Sequence, residues 1–133
     1  LGKDRPEIIA DLPAVIAVMK RGLELDEAFN EGSIHEVMIV LESLGANMGG
    51  SIEKAREHYA RAVELSKGTR ASPHLTLATS VSIPEQDRDE FEMLMAKTLE
   101  IDPDIAVGWR LYNLIVQKRA RYLLDHADDY FLE

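Results

Sequence analysis

The fold is decided by one short stretch that the chain carries in three imperfect copies: LELD at residues 23–26, VELS at 63–66 and LEID at 99–102. Each copy ends a predicted helix, and successive copies begin 40 and 36 residues apart. Repeats of this length predict stacked helix pairs, which form concave binding surfaces more often than catalytic clefts. The repeat therefore favours a protein that binds or scaffolds.

Proline, glycine and aspartate divide the chain into about six predicted helices. They cover residues 12–25, 33–46, 52–67, 73–81, 84–101 and 103–126. Apolar residues recur in them at spacings of three and four, and no strand-like alternation of useful length is present. The sequence therefore predicts an all-α fold of degenerate tetratricopeptide-like stacked helix pairs with a long C-terminal helix. We expect a single helical repeat domain over residues 1–133.

The third predicted helix carries a tetratricopeptide-like pattern. A small residue is followed four positions later by an aromatic residue, and a second small residue comes three positions after the aromatic one. Ala55, Tyr59 and Ala62 fill these places. Small residues let two helices approach closely, and the aromatic ring fills the space between them. In the next copy the same places hold Phe91, Met95 and Thr98. The repeat is therefore degenerate, but its buried face can be predicted.

The composition excludes several classes of function. The 133 residues carry a net charge of −9, which repels phosphates and makes nucleic acid an unsuitable partner. No cysteine is present, so disulfides and thiol chemistry are excluded. No run of 18 apolar residues predicts a membrane span. Because the chain begins with Leu1 rather than Met, we expect that any N-terminal export segment lies outside it.

Four segments, taken together in their order and spacing, closely resemble the T component of tripartite ATP-independent periplasmic (TRAP) transporters. These segments are GSIHE at 32–36, GGSIEKAREHYARAVELSKG at 49–68, the helix at 87–102, and RLYNLIVQKRARYLL at 110–124. The resemblance covers residues 12–132, nearly the whole chain. The combination is fairly specific, whereas each segment alone would be a weak signal.

The resemblance implies a non-catalytic periplasmic protein that forms a homotrimer and associates with the solute-binding protein of the transporter. It also implies a hydrophobic cleft and a central pore, which suggest that the protein hands over a small organic or apolar ligand. Family precursors carry an N-terminal export or lipoprotein segment. We therefore expect a periplasmic location, a lipid anchor in the full-length form, and membrane contact only through that anchor.

The predicted last helix supplies most of the candidate binding residues. Arg110, Asn113 and Gln117 recur at spacings of three and four, so they share one face of the helix. Trp109 lies on the adjoining face. A polar stripe beside aromatic residues can line a ligand cleft or a subunit contact, and the alternative is a plain solvated face.

His35 and Tyr59 complete the candidates for ligand or partner binding. A zinc-protease motif that begins at His35 would need a second histidine at position 39, where Ile39 stands. The four histidines show no metal-ligand spacing, so the sequence predicts no metal site and no cofactor. Tyr59 favours packing within the repeat over direct contact with a ligand.

Two other functions are weighed against the transporter role. A cytosolic tetratricopeptide adaptor would hold a peptide carboxylate with Lys or Arg, but residues 34–46 and 73–81 contain neither. An enzyme would need a nucleophile with a plausible base, and carboxylate pairs such as Asp87 and Asp89 lie within acidic solvated stretches. The sequence therefore predicts no catalytic residues, with the peptide-binding adaptor as the alternative function.

Overall fold

Helices form the regular structure of the protein in a computed structural model that describes residues 6–44 and 49–132. The described residues contain seven α-helices and no strand. In chain order these are α1 (Pro6–Leu25), α2 (Ser33–Leu44), α3 (Ile52–Leu65), α4 (Ser72–Leu77), α5 (Arg88–Glu100), α6 (Arg110–Asp125) and α7 (Ala127–Tyr130). Two 3-10 turns (Phe29–Gly32 and Val107–Trp109) precede α2 and α6, and a π-helical turn (Ala78–Ser82) continues α4.

Helices that follow one another in the chain pack against one another. The most extensive contact joins α2 and α3, and further contacts join α1 to α2, α4 to α5, and α5 to α6. Helix α4 lies at the centre, because it touches α2, α3, α5 and α6. The prediction of an all-α fold of stacked helix pairs is confirmed. Among the described helices, none is long and apolar enough to cross a membrane.

The protein has a main hydrophobic core and a smaller one. The main core joins residues of α2 to α7, and its largest fully buried side chains include Phe91, Leu94 and Met95. The smaller core joins α1 to α2 through Leu12, Met38 and Leu41. Helix α1 is thus held chiefly by α2, whereas the later helices share one continuous apolar interior.

The small-aromatic-small pattern of α3 packs as predicted. Ala55 and Ala62 are fully buried, and the half-buried ring of Tyr59 packs against the main core. The Tyr59 hydroxyl lies 2.9 Å from Nδ1 of His74 on α4. The aromatic residue of the pattern therefore joins α3 to α4 by both apolar contact and a hydrogen bond.

The start of α5 differs from the prediction. The helix begins at Arg88, not at residue 84, because Asp87 accepts a hydrogen bond from the backbone N–H of Glu90 at 3.0 Å and so caps the first turn. Ser82, two residues before the predicted start, donates its hydroxyl to Oε1 of Glu90 at 2.5 Å. The predicted start of this helix at residue 84 is therefore wrong.

The start of α6 also differs from the prediction, since the helix begins at Arg110 rather than at 103. Asp102 accepts a hydrogen bond from the backbone N–H of Asp104 at 2.9 Å, which forms a turn around Pro103 instead of a helix start. At the other end of the chain, α1 begins at Pro6 and runs through Pro13 without interruption. The predicted end of the second helix at residue 46 lies outside the described residues.

Replacing Tyr59 should separate its two contributions to stability. We expect Tyr59→Ala to lower the free energy of unfolding by about 3 kcal/mol, because a large aromatic ring leaves the α3–α4 contact. Tyr59→Phe should cost about 1 kcal/mol, the scale for one lost hydrogen bond. Urea denaturation followed by circular dichroism measures both values. Equal stability of Tyr59→Ala and the unmodified protein would show that Tyr59 does not contribute to the core.

Candidate functional site

An open cleft of about 230 Å³ lies between α2, α4 and α6. Seven residues line it: Ser33, Glu36, Val37, Val40, Arg70, Thr76 and Tyr112. Helix α2 supplies four of them, and the periodicity of α2 explains why they share one face. Val37, Val40 and Tyr112 give the cleft its apolar surface, and Glu36 and Arg70 form an ion pair within its lining.

The ion pair joins Glu36 of α2 to Arg70 in the segment between α3 and α4. Arg70 Nη2 donates to Glu36 Oε2 at 3.0 Å, and both side chains are almost wholly buried. The hydroxyls of Ser72 and Thr76 donate to the same carboxylate at 3.0 Å and 3.1 Å. Three donors therefore satisfy Glu36, and α4 is tied to α2 through a buried charge that has its partners in place.

Arg70 makes contacts on two further sides. Its guanidinium carbon lies 4.1 Å from the ring centroid of Trp109, a cation–π contact. Its Nη1 approaches the carbonyl of Asn30 at 3.4 Å, at the outer limit of a hydrogen bond. Within the described part of the chain, the buried Nε of Arg70 has no hydrogen-bond partner. Arg70 thus joins the α1–α2 turn, α2 and the turn before α6 at one point.

Asn113 of α6 is fully buried and binds the backbone beside Arg70. Its amide nitrogen donates to the carbonyl of Thr69, and its amide oxygen accepts from the N–H of Ala71, both at 2.9 Å. These two bonds fix the backbone on either side of Arg70, since residue 70 lies between the bonded positions. Asn113 therefore holds in place the backbone segment that carries Arg70, and its own side chain does not line the cleft.

Gln117 lies one turn further along the same buried face of α6. Its amide nitrogen donates to the carbonyl groups of Thr98 at 3.1 Å and Ile101 at 2.6 Å. Carbonyls at the end of a helix lack partners within the helix, so Gln117 satisfies the C-terminal end of α5. Like Asn113, this side chain is directed into the fold.

Trp109 and Arg110 remain near the surface at the start of α6. The Trp109 ring contacts Arg70 and lies 6.0 Å from the Tyr112 ring, measured between centroids. Arg110 is more than half exposed and pairs with Asp104 at 2.5 Å. The structure therefore places Trp109 against Arg70 and near Tyr112, two residues that line the cleft, and leaves Arg110 exposed to solvent.

The two remaining candidates lie away from the cleft. His35 is buried between α2 and α3, where it contacts Glu27 and His58. Tyr59 is bonded to His74 in the core, and burial lowers the pKa of His74 to about 4. Among the described residues, no cluster of three or more His, Asp or Glu side chains could hold a metal ion.

Sequence reasoning missed the two charged residues of the cleft, Glu36 and Arg70. Glu36 lies in the segment at 32–36 without a charged partner nearby in the sequence that would mark it, and Arg70 lies between the predicted helices at 52–67 and 73–81, outside any motif. One signal was available: α2 and α4 contain no Lys or Arg, so a buried acid on either helix needs a cation from elsewhere.

A comparison with known families assigns the chain to a class of transporter-associated proteins. The chain matches the family model for the TRAP transporter T-component over residues 1–131. The protein therefore belongs to the T-component family of TRAP transporters, as the sequence resemblance indicated. Its family is that of a transporter accessory component.

A relative in Treponema pallidum (strain Nichols) carries the description "uncharacterized protein". It is 27% identical to this chain over 134 residues. The alignment covers 100% of this chain and 41% of that relative, so the chain spans less than half of the relative's length. The relative's description adds no activity, ligand or partner.

The Glu36–Arg70 pair should respond to single substitutions as a buried ion pair does. We expect Glu36→Leu or Arg70→Met alone to destabilise by about 3–5 kcal/mol, because each leaves the other charge buried without its partner. The double variant should cost clearly less than the sum of the two. Urea denaturation of all four proteins gives this cycle.

The exposed Arg110–Asp104 pair provides a matched control. Arg110→Ala should change stability by no more than about 1 kcal/mol, because both side chains are more than half exposed to solvent. If Glu36→Leu and Arg70→Met cost as little as Arg110→Ala, the buried pair does not hold α4 to α2.

Proposed function

We propose that this protein is a non-catalytic periplasmic accessory of a TRAP-type transporter. In this proposal it binds the solute-binding protein and holds a small or apolar ligand in its helical cleft. Family membership supports the transporter role. The observation that carries the ligand proposal is the cleft itself, whose lining combines Val37, Val40 and Tyr112 with an arginine that is already paired with Glu36.

The chemistry of the cleft determines which ligands suit it. The Glu36 carboxylate already accepts three hydrogen bonds, so it has little remaining capacity to bind a cation or an amine. Val37, Val40 and Tyr112 provide the remaining contact surface, and Val37 and Tyr112 are partly open to solvent. A ligand would therefore gain most from burying apolar area, which favours an apolar body over a strongly charged one.

The candidate residues take two different roles in this proposal. Trp109 and Arg110, at the exposed start of α6, are positioned for direct contact with the ligand or the solute-binding protein. Asn113 and Gln117 act indirectly, because they fix the backbone around the cleft and the end of α5. Tyr59 and His35 support the packing of α3 against its neighbours.

We further propose that the protein acts as a homotrimer, with any membrane contact made through an N-terminal lipid anchor. These two features come from the family resemblance. Neither requires a cofactor. A peptide-binding adaptor is less well supported, because Arg70 is buried and already bound by Glu36, and so is a poor partner for a peptide carboxylate.

The first test of the quaternary proposal is mass in solution. We expect light scattering after gel filtration to give three chain masses, independent of concentration over a tenfold range. A trimer would support the proposed role as an accessory of a TRAP-type transporter. A clean monomer at every concentration would contradict the homotrimer and give the peptide-binding adaptor more weight, so a peptide-library screen would follow.

Binding at the cleft can be tested with a matched pair of tyrosines on α6. Tyr112 lines the cleft and is 43% exposed, whereas Tyr122 is 52% exposed outside it. We expect Tyr112→Ala to weaken binding of the neutral apolar fluorophore N-phenyl-1-naphthylamine at least about fivefold, a loss on the scale of 1 kcal/mol. Tyr122→Ala should leave binding unchanged. Equal effects of the two substitutions, or no binding by the unmodified protein, would exclude the cleft as the apolar site.

The same variants test the partner proposal in a pull-down with the solute-binding protein of the same transporter. Arg110→Ala should retain the fold and reduce capture, because Arg110 is exposed beside Trp109 at the start of α6. Tyr122→Ala again serves as the control. Unchanged capture by a folded Arg110→Ala protein would remove Arg110 from the partner surface.

A further inference from the structure

Two histidines connect helix α3 to the α1–α2 connection, defined here as residues 26–32. Nδ1 of His58 on α3 lies 2.8 Å from Nδ1 of His35 on α2. The other ring nitrogen of His35, Nε2, lies 3.0 Å from Oε1 of Glu27 in the connection. Arg61 of α3 donates to the same carboxylate from Nε at 2.6 Å and from Nη2 at 3.1 Å. We call these four residues the histidine latch.

The ionised carboxylate of Glu27 determines which atom donates in each hydrogen bond of the histidine latch. Hydrogen bonds from Arg61 and then from His35 lower the pKa of Glu27 to about 2, so its carboxylate is ionised and can only accept. Nε2 of His35 must therefore carry a proton, and Nδ1 of a neutral His35 is an acceptor. The proton between the two rings consequently belongs to Nδ1 of His58.

This arrangement accepts one additional proton but not two. A proton on Nε2 of His58 leaves the contact intact, because Nδ1 of His58 still donates to His35. A further proton on Nδ1 of His35 would set two N–H groups against each other across 2.8 Å, with no acceptor between them. It would also place two positive rings with centroids 5.1 Å apart. The doubly protonated pair cannot keep this geometry.

Charged groups surround the pair on all the neighbouring elements. From α1, the connection, α2 and α3 these are Lys20, Glu27, Glu42, Lys54 and Arg61. On α4 the titratable group is His74, which is bonded to the hydroxyl of Tyr59. Burial, followed by the charge of His35, lowers the pKa of His58; Glu42 opposes the shift, and the two lysines add to it.

The sign of the pH effect follows from this shift. Because the pKa of His58 is below 6.5 in the folded protein, the folded state binds protons less readily than the unfolded chain. The contribution of His58 to stability is therefore fully present above pH 6.5 and is lost as the pH falls below that value. Protonation of His58 therefore destabilises the folded state, although only a second added proton, on Nδ1 of His35, would break the Nδ1–Nδ1 contact.

We propose that the histidine latch is an acid-sensitive device. It holds the α1–α2 connection on α3 while a single proton lies between the two Nδ1 atoms, and it releases the connection when both imidazole rings are positively charged. This inference is independent of the proposed ligand and partner. It rests on the Nδ1–Nδ1 contact and on the carboxylate that fixes its direction.

The connection is a segment that such a release would change. Asn30 and Glu31 both adopt left-handed backbone angles, with φ of 49° and 57°, which non-glycine residues rarely adopt. Gly32 has φ of 90°, and a Cβ there would lie 3.1 Å from Cβ of Leu65 on α3. The connection is thus held close to α3 in an unfavourable conformation, which the bonds to Glu27 help to maintain.

Nuclear magnetic resonance of the imidazole nitrogens tests the closed state. At about pH 7.5 we expect the proton on Nε2 in His35 and on Nδ1 in His58, each seen through its two-bond ¹⁵N–¹H couplings. The opposite tautomers would overturn the proposal, because the chain of hydrogen bonds to Glu27 would then not exist.

Amide hydrogen exchange tests the release. We expect the protection factors of the Phe29 and Glu31 amides, which donate hydrogen bonds within the connection, to fall at least about tenfold between pH 7 and pH 4.5. Protection factors correct for the intrinsic pH dependence of exchange. Amides of α5 and α6 should keep their protection over the same range.

Two variants make the result specific. His58→Gln should abolish the pH dependence of protection in the connection. The glutamine amide can accept a hydrogen bond from a charged His35 or donate one to a neutral His35. His126→Gln, at a histidine whose ring is bonded to the carbonyl of Tyr122 at the end of α6, should behave as the unmodified protein does. An unchanged pH dependence in His58→Gln would overturn the proposal. So would a parallel loss of protection in α5 and α6, because that would show global unfolding.

Discussion

The structure depends on one buried ion pair, between Glu36 on α2 and Arg70 just before α4. Helix α4 is short and lies at the centre, in contact with four other helices, so its position determines theirs. Apolar contacts alone would let so short a helix slide or rotate. Oε2 of Glu36 accepts a charge-assisted hydrogen bond from Arg70 and a second hydrogen bond from the hydroxyl of Ser72. These two directional bonds fix the start of α4 in a way that hydrocarbon packing does not.

Two buried side-chain amides fix the position of α6 as the Glu36–Arg70 pair fixes that of α4. Asn113 and Gln117 are in phase with the apolar face of α6, yet each satisfies backbone groups of a different segment. Asn113 binds the segment that carries Arg70, and Gln117 binds the end of α5. Because an unsatisfied buried amide is costly, these bonds admit one register of α6 against its neighbours and few others. The walls of the cleft are therefore set by polar groups that do not line it.

The sequence predicted most of the fold but little of the cleft, for physical reasons. Apolar periodicity and the small-aromatic-small pattern depend on residues close in the chain, so the buried faces of α3 and α5 could be predicted. The partner of Glu36 is 34 residues away in an irregular segment, and no local pattern specifies such a pair. Asn113 and Gln117 were correctly placed on one face, but a polar residue alone does not show whether that face is inside or outside.

The cleft and the histidine latch are linked through α2 and the α1–α2 connection. His35 and Glu36 are neighbours on α2, and they bind on opposite sides: the histidine to Glu27 and α3, the glutamate to Arg70 and α4. The connection touches both networks, since Glu27 belongs to the latch and the carbonyl of Asn30 contacts Arg70. Arg70, which lines the cleft, in turn lies against the Trp109 ring. A displacement of the connection would therefore reach the cleft through Arg70 and through Ser33, the cleft residue that directly follows the connection.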